Sequence, residues 1–157
     1  MQTNEILHRV ATALSLDITT IQEIYTLASY PIETQRVQSI LKLPAESGSQ
    51  LCSYEELGIF LDGLILLKRG PSPRKQNDEA TVALTNNLIL KKLRIALNLK
   101  EIETEMIFGL ADVELSKQQL SSLFRKEGHK NFAECSDALL LAFLEGLDEF
   151  YYVGDEV

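Results

Sequence analysis

A chain of 157 residues, 45% hydrophobic and 24% charged, has the size of one compact domain or two very small ones, and its composition excludes a disordered polymer. A formal net charge of −8 speaks against a generic nucleic-acid binder, which carries a basic footprint for phosphate. The longest apolar block, Gly63 to Leu67, is far short of a bilayer span, and Met1 to Leu7 (MQTNEIL) has no positive residue ahead of an apolar stretch, so a cytoplasmic location, no membrane contact and two free thiols, Cys52 and Cys135, are expected.

In chain order, apolar residues three or four apart predict a first helix from about Asn4 to Leu14, with Ile6, Val10, Ala13 and Leu14 on one face. A second helix, near Thr20 to Ser29, carries Ile21, Ile24, Tyr25 and Ala28, with Thr19 and Gln22 spaced as a capping box. Tyr30-Pro31 stops it, because a residue before proline is pushed out of the helical region. A third helix, near Glu33 to Leu43, carries Val37, Ile40 and Leu41. After a polar loop, Ser53 caps a fourth, with Glu56 completing its box and Leu57, Phe60, Leu61 and Leu64 as its stripe. Gly70 to Thr85 opens Gly-Pro-Ser-Pro, keeps no sustained period and reads as a linker.

Beyond the linker the plan starts again. Shifted by 83 residues without a gap, Asn4 to Leu67 matches Asn87 to Phe150 at 18 of 64 positions. The predicted helices of the second copy carry Ile89, Leu93, Ala96 and Leu97, then Ile107, Leu110 and Ala111, then Leu120, Leu123 and Phe124 after the capping pair Ser116 and Gln119, and finally Leu140, Phe143, Leu144 and Leu147 after Ser136. The expected fold is all-α: two tandem pseudo-symmetric four-helix units, residues 1–69 and 86–157, joined by residues 70–85 and packed on each other because so small a unit has little core of its own. Gly63 and Gly146 lie inside the fourth-helix stripes, where glycine costs about 1 kcal/mol against alanine. Either a crossing of the two fourth helices at these glycines compensates, or the glycines reflect shared ancestry and local tolerance.

Three blocks, FLDGLILLKRG at 60–70, NNLILKKLRIALNL at 86–99 and HKNFAECSD at 129–137, together with the tandem units, resemble the YehS-like bacterial proteins, which carry a helical domain of unknown function in two copies. The resemblance covers nearly the whole chain and implies the same all-helical fold. It implies no reaction, ligand, partner or site residue. The first unit has Glu46 and Ser47 where the second has His129 and Lys130.

No catalytic constellation, phosphate loop or metal spacing stands out, and neither enzymatic activity nor a cofactor is expected. Two cysteines 83 residues apart, with His8 and His129, lack zinc-site spacing. The first functional candidate is a basic centre in an acidic chain: Lys68, Arg69, Arg74, Lys75, Lys91, Lys92 and Arg94, a cluster that suits phosphate contacts but equally a solvated face or pairing with acids of the other unit. The second is the loop with His129, Lys130 and Cys135, since a cysteine near a helix N-terminus can become nucleophilic; Cys52 in the matching place, without a histidine, suits a small packing residue instead. Ile24 to Leu41 resembles a helix-turn-helix, with Tyr30 at the usual glycine, Arg36 at the usual apolar position, and few cations (Arg36 and Lys42, or Lys117 and Arg125 in the copy). The acidic end, with Glu145, Asp148, Glu149, Asp155 and Glu156 beside Phe150, Tyr151 and Tyr152, is either a partner edge or helix packing with solubilising acids. The expected function is a non-enzymatic binding or regulatory module for a protein partner, with its site in the groove between units; nucleic-acid binding through the basic centre is the alternative.

Overall fold

The apolar spacing produces helices in all eight expected places. The computed structural model describes residues 1–71 and 83–152. Within these it contains α1 (Thr3–Ala13), α2 (Ile18–Leu27), α3 (Thr34–Leu41), α4 (Tyr54–Arg69), α5 (Asn86–Ala96), α6 (Glu101–Leu110), α7 (Lys117–Leu123) and α8 (Asp137–Phe150), and no strand. Ser53 caps α4 with the full box to Glu56, Ser116 and Gln119 form the box of α7, and Ser136 caps α8. The cap of α2 is not where spacing placed it. Asp17, two residues before Thr19, accepts from the backbone N–H of Thr20 at 2.8 Å. The Gln22 amide is thereby released to donate to the Ile32 carbonyl at 2.9 Å, bracing the loop into α3.

The two units repeat down to their backbone irregularities. Ser15, Ser29, Asn98 and Asp112 have positive φ, and each of the last two stands 83 residues after one of the first two. Each closes a Schellman turn at the end of a first or second helix: in the first case Leu16 N–H reaches the Ala11 carbonyl at 2.8 Å, in its copy Leu99 reaches Arg94 at 3.0 Å. The cores match as well. Tyr25 meets Phe60 with ring centroids 6.0 Å apart, and Phe108 meets Phe143 at 5.4 Å, all four rings fully buried.

A second duplicated device fixes the start of each unit. Asn4, 1% exposed, donates to the carbonyls of Lys42 (3.1 Å) and Gln50 (2.8 Å) and accepts from the Cys52 N–H (2.7 Å). Asn87 does the same with Leu123 (3.0 Å), Ala133 (2.9 Å) and Cys135 (2.8 Å). One side-chain amide thus satisfies three backbone groups of the segment leading into the last helix.

The expected crossing of the fourth helices at glycine does not occur. A Cβ on Gly63 would overlap the Ile24 carbonyl oxygen, and one on Gly146 that of Ile107, so each glycine admits the second helix of its own unit. The units join differently: α4 packs on α5 as well as on α2 of its own unit, and α1 packs on α8, so the first helix of each unit lies against the last helix of the other. These four helices point the same way. Thr3 bonds the Cys52 carbonyl and Asn86 that of Cys135, the Met1 amino group meets Asp137 at 2.6 Å, and Gly58 lies beside Leu84, which gathers all four N-terminal ends. The four C-terminal ends meet at the opposite pole, around a shared cleft. α4 and α5 are thus parallel neighbours, and the end of α4 lies a full helix length, roughly 24 Å for sixteen residues at 1.5 Å each, from the start of α5.

Candidate functional site

The cleft at that pole, about 480 Å³, sits where pseudo-symmetry requires matched residues to converge. Ala13, Leu14 and Ser15 face Ala96, Leu97 and Asn98, the ends of α1 and α5. The matching breaks at the remaining wall. Lys68 and Arg69 end α4, whereas the residues 83 later, ending α8, are Tyr151 and Tyr152. The cleft is therefore cationic on one flank and aromatic on the other, over an apolar floor. Four aligned helices each bring about half a negative charge to their C-terminal end, and the two full cations offset that field. Both are exposed and make no hydrogen bond or ion pair with any described residue.

The described residues of the basic centre do not converge. Arg74 and Lys75 lie outside the described residues. Lys92 is 4% exposed and forms an ion pair with Asp62 across the α4–α5 contact, joining the two units. Its counterpart Arg9 is a third exposed and bonds Glu5 of its own helix at 3.2 Å. Arg94 donates to the Leu99 carbonyl at 3.1 Å and stands 4.5 Å over the Phe124 ring, which occupies it in closing α5. Lys91 is exposed beside Arg125 and Lys126 at a separate cleft of about 210 Å³. Of the described members, only Lys68 and Arg69 line the cleft at the pole.

The Lys92–Asp62 pair yields a measurable expectation. Asp62→Ala removes a carboxylate partner from a buried ammonium; since Asp62 is 33% exposed, the cost is discounted to about 2 kcal/mol. Replacing both partners by leucine and methionine should restore stability to within about 1 kcal/mol in urea unfolding. An Asp62→Ala protein as stable as wild type would remove the pair from the junction.

Arg36, the cation of the helix-turn-helix reading, is turned into its own unit: it bonds both Glu56 carboxylate oxygens at 3.0 and 2.7 Å, Gln50 at 2.7 Å and the Leu51 carbonyl at 3.1 Å. Burial alone would raise the Glu56 pKa, but the hydrogen bonds from Arg36 and Ser53 outweigh it and hold the carboxyl below its usual range. Lys42 likewise bonds the Ser47 carbonyl at 2.8 Å. Lys117 and Arg125 of the second unit are exposed.

His129 and Lys130 are exposed, whereas Cys135 is 5% exposed and Cys52 1%. No hydrogen bond joins the histidine to the thiol: His129 Nδ1 accepts from Asn131 N–H at 3.0 Å, and each thiol contacts the carbonyl of the serine that follows it at 3.5 Å. Burial pushes the Cys52 thiol up to about 12, and burial together with Asp137 pushes Cys135 up to about 11. Iodoacetamide at pH 7.5 should therefore label both at least about tenfold more slowly in the folded protein than in urea. Fast labelling of Cys135 in the folded state would revive the nucleophile reading. Among the described residues no group of three or more His, Cys, Asp or Glu side chains could hold a metal ion, and no helix is long and apolar enough to cross a membrane.

Comparison with known proteins separates the same two units. Residues 3–70 and 86–151 each match the family described as protein of unknown function (DUF1456). The chain is 33% identical over 147 residues, 94% of its own length and 94% of the relative's, to the uncharacterized protein YehS of Escherichia coli (strain K12). No solved structure matches it significantly.

Proposed function

We propose that this chain, which belongs to the family described as protein of unknown function (DUF1456), is a non-enzymatic binding module whose ligand sits in the cleft on the pseudo-dyad between its two units. One observation carries the reading: the place where both units converge is left open, and the residues that break its symmetry are two cations, unpaired among the described residues, facing an aromatic ring. Fixed packing holds the ends of α1 and α5 in place, so the cleft is formed before anything enters it. Its chemistry suits a ligand with a flat apolar portion, lying on Leu14, Leu97 and Tyr151, and a negative group within reach of Lys68 and Arg69.

The test is amide chemical-shift mapping with a panel of aromatic carboxylates, phosphate monoesters and a single-stranded oligonucleotide. Saturable shifts at Ser15, Arg69, Asn98 and Tyr151, lost in Lys68→Glu/Arg69→Glu, support the reading. Shifts centred on Lys91, Arg125 and Lys126 with the oligonucleotide, weakening steeply with salt, would favour nucleic acid instead. Silence at the cleft across the panel, in protein that is folded, counts against it.

A further inference from the structure

The duplication supplies an internal control for every exposed surface, since each position of one unit has a counterpart in the other. One surface differs sharply. On α6, Ile102, Met106 and Leu110 are 66%, 54% and 44% exposed and lie four residues apart, forming a single apolar ridge. The same positions of α2 are Thr19, Glu23 and Leu27. Beside the ridge stands Gly109, where α2 has Thr26. Gly63 and Gly146 each admit a neighbouring helix backbone, but a Cβ on Gly109 would meet nothing within 4 Å. A glycine in the last turn of a helix, disfavoured against alanine and admitting no described part of its own chain, leaves a notch in the outer face.

Charge identifies what fits there. From Glu101 to Leu115 the chain holds five acids, Glu101, Glu103, Glu105, Asp112 and Glu114, and no lysine or arginine. Glu101 and Glu105 flank the ridge on one side and Glu103 on the other, at 100° per residue. A second copy of this face would set acids against acids.

We propose that the outer face of α6 docks an amphipathic helix of a partner protein whose apolar stripe is bordered by lysine or arginine. The i, i+4, i+8 ridge favours ridge-into-groove packing at about −50°, with the partner backbone closest at Gly109 and its cations over Glu101 and Glu105. This surface is separate from the pseudo-dyad cleft and stands whether or not that cleft binds anything.

The test uses two synthetic 18-residue helices, one of leucine and lysine and one of leucine and glutamate, titrated into the full chain while amide shifts are followed. The triple variant Ile102→Thr/Met106→Glu/Gly109→Thr installs the residues of the first unit at exposed positions outside the core, so it should fold; circular dichroism checks this. Expected are saturable shifts at Ile102, Met106, Gly109 and Leu110 with the leucine–lysine helix, at least tenfold weaker affinity for the leucine–glutamate helix, and a similar loss in the folded triple variant. Lys68→Glu/Arg69→Glu should leave this binding unchanged. Equal binding by both peptides, undiminished binding to the triple variant, or no shift on α6 overturns the proposal. Self-association in ultracentrifugation that the triple variant abolishes also overturns it, by making a second copy the occupant.

Discussion

Alanine in place of Gly63 or Gly146 is expected to destabilise the fold by at least about 3 kcal/mol, the largest effect of any single methyl added to this chain. Overpacking a core usually costs about 1–3 kcal/mol, because flexible side chains give way. Here the obstacle is main chain. The new Cβ overlaps the carbonyl of Ile24 or Ile107 and comes within 2.8 Å of another atom of the same residue, Cγ2 in the first case and the carbonyl carbon in the second. Relief requires α2 or α6 to back away as a whole, opening the Tyr25–Phe60 or Phe108–Phe143 contact. Gly109→Ala is the matched control: its Cβ meets nothing, and it should gain up to about 1 kcal/mol from helix propensity alone. Urea unfolding followed by circular dichroism measures both. A Gly63→Ala midpoint equal to wild type would refute the close approach.

Asn4→Ala and Asn87→Ala should each cost about 3 kcal/mol, a fall of roughly 6–12 °C in melting temperature for a chain of this size. The loss reaches beyond three hydrogen bonds, because the Gln50 carbonyl and the Cys52 N–H lose their partner beside the buried Cys52 and the Lys42 carbonyl keeps only the Ser49 hydroxyl at 3.3 Å. Asn4→Asp separates this account from lost packing. It keeps the volume and the acceptor for Cys52 but turns a carboxylate toward two carbonyls, so it should be no better than alanine. If Asn4→Asp melts with wild type, the amide donors are irrelevant to the clamp.

The helical register and the paired cores were legible because burial at a 3.6-residue period leaves its mark on every turn: Phe60 with Phe143 and Leu57 with Leu140 could be matched from spacing alone, and all four are fully buried. The side-chain partnerships were not. A glycine inside a helix announces that some backbone is near without saying whose, and Gly63 faces α2 rather than α8. For Lys92 the sequence leaves phosphate contact, a solvated face and pairing with an acid of the other unit open, since the choice depends on Asp62, thirty residues away in another helix. Asp17 lies two residues before Thr19 and prevails as the cap because its carboxylate accepts from Thr20 directly. The identity of Asn4 with Asn87 was visible as a polar match among apolar ones, the signal that would have led to the clamp. Convergence of Lys68 and Arg69 on the pole depends on the parallel course of the four central helices, which no local pattern encodes.

Because α1 finds its main neighbour in α8, and α5 in α4, either half on its own would expose the flank meant for the other. Such a half could be completed only by meeting a second half, a bimolecular event governed by mass action. Fusing both on one chain replaces that encounter with a fixed effective concentration, so assembly no longer depends on how much protein is present. It also frees the two copies to diverge, which is how one end of a symmetric body can come to carry lysine and arginine opposite tyrosine.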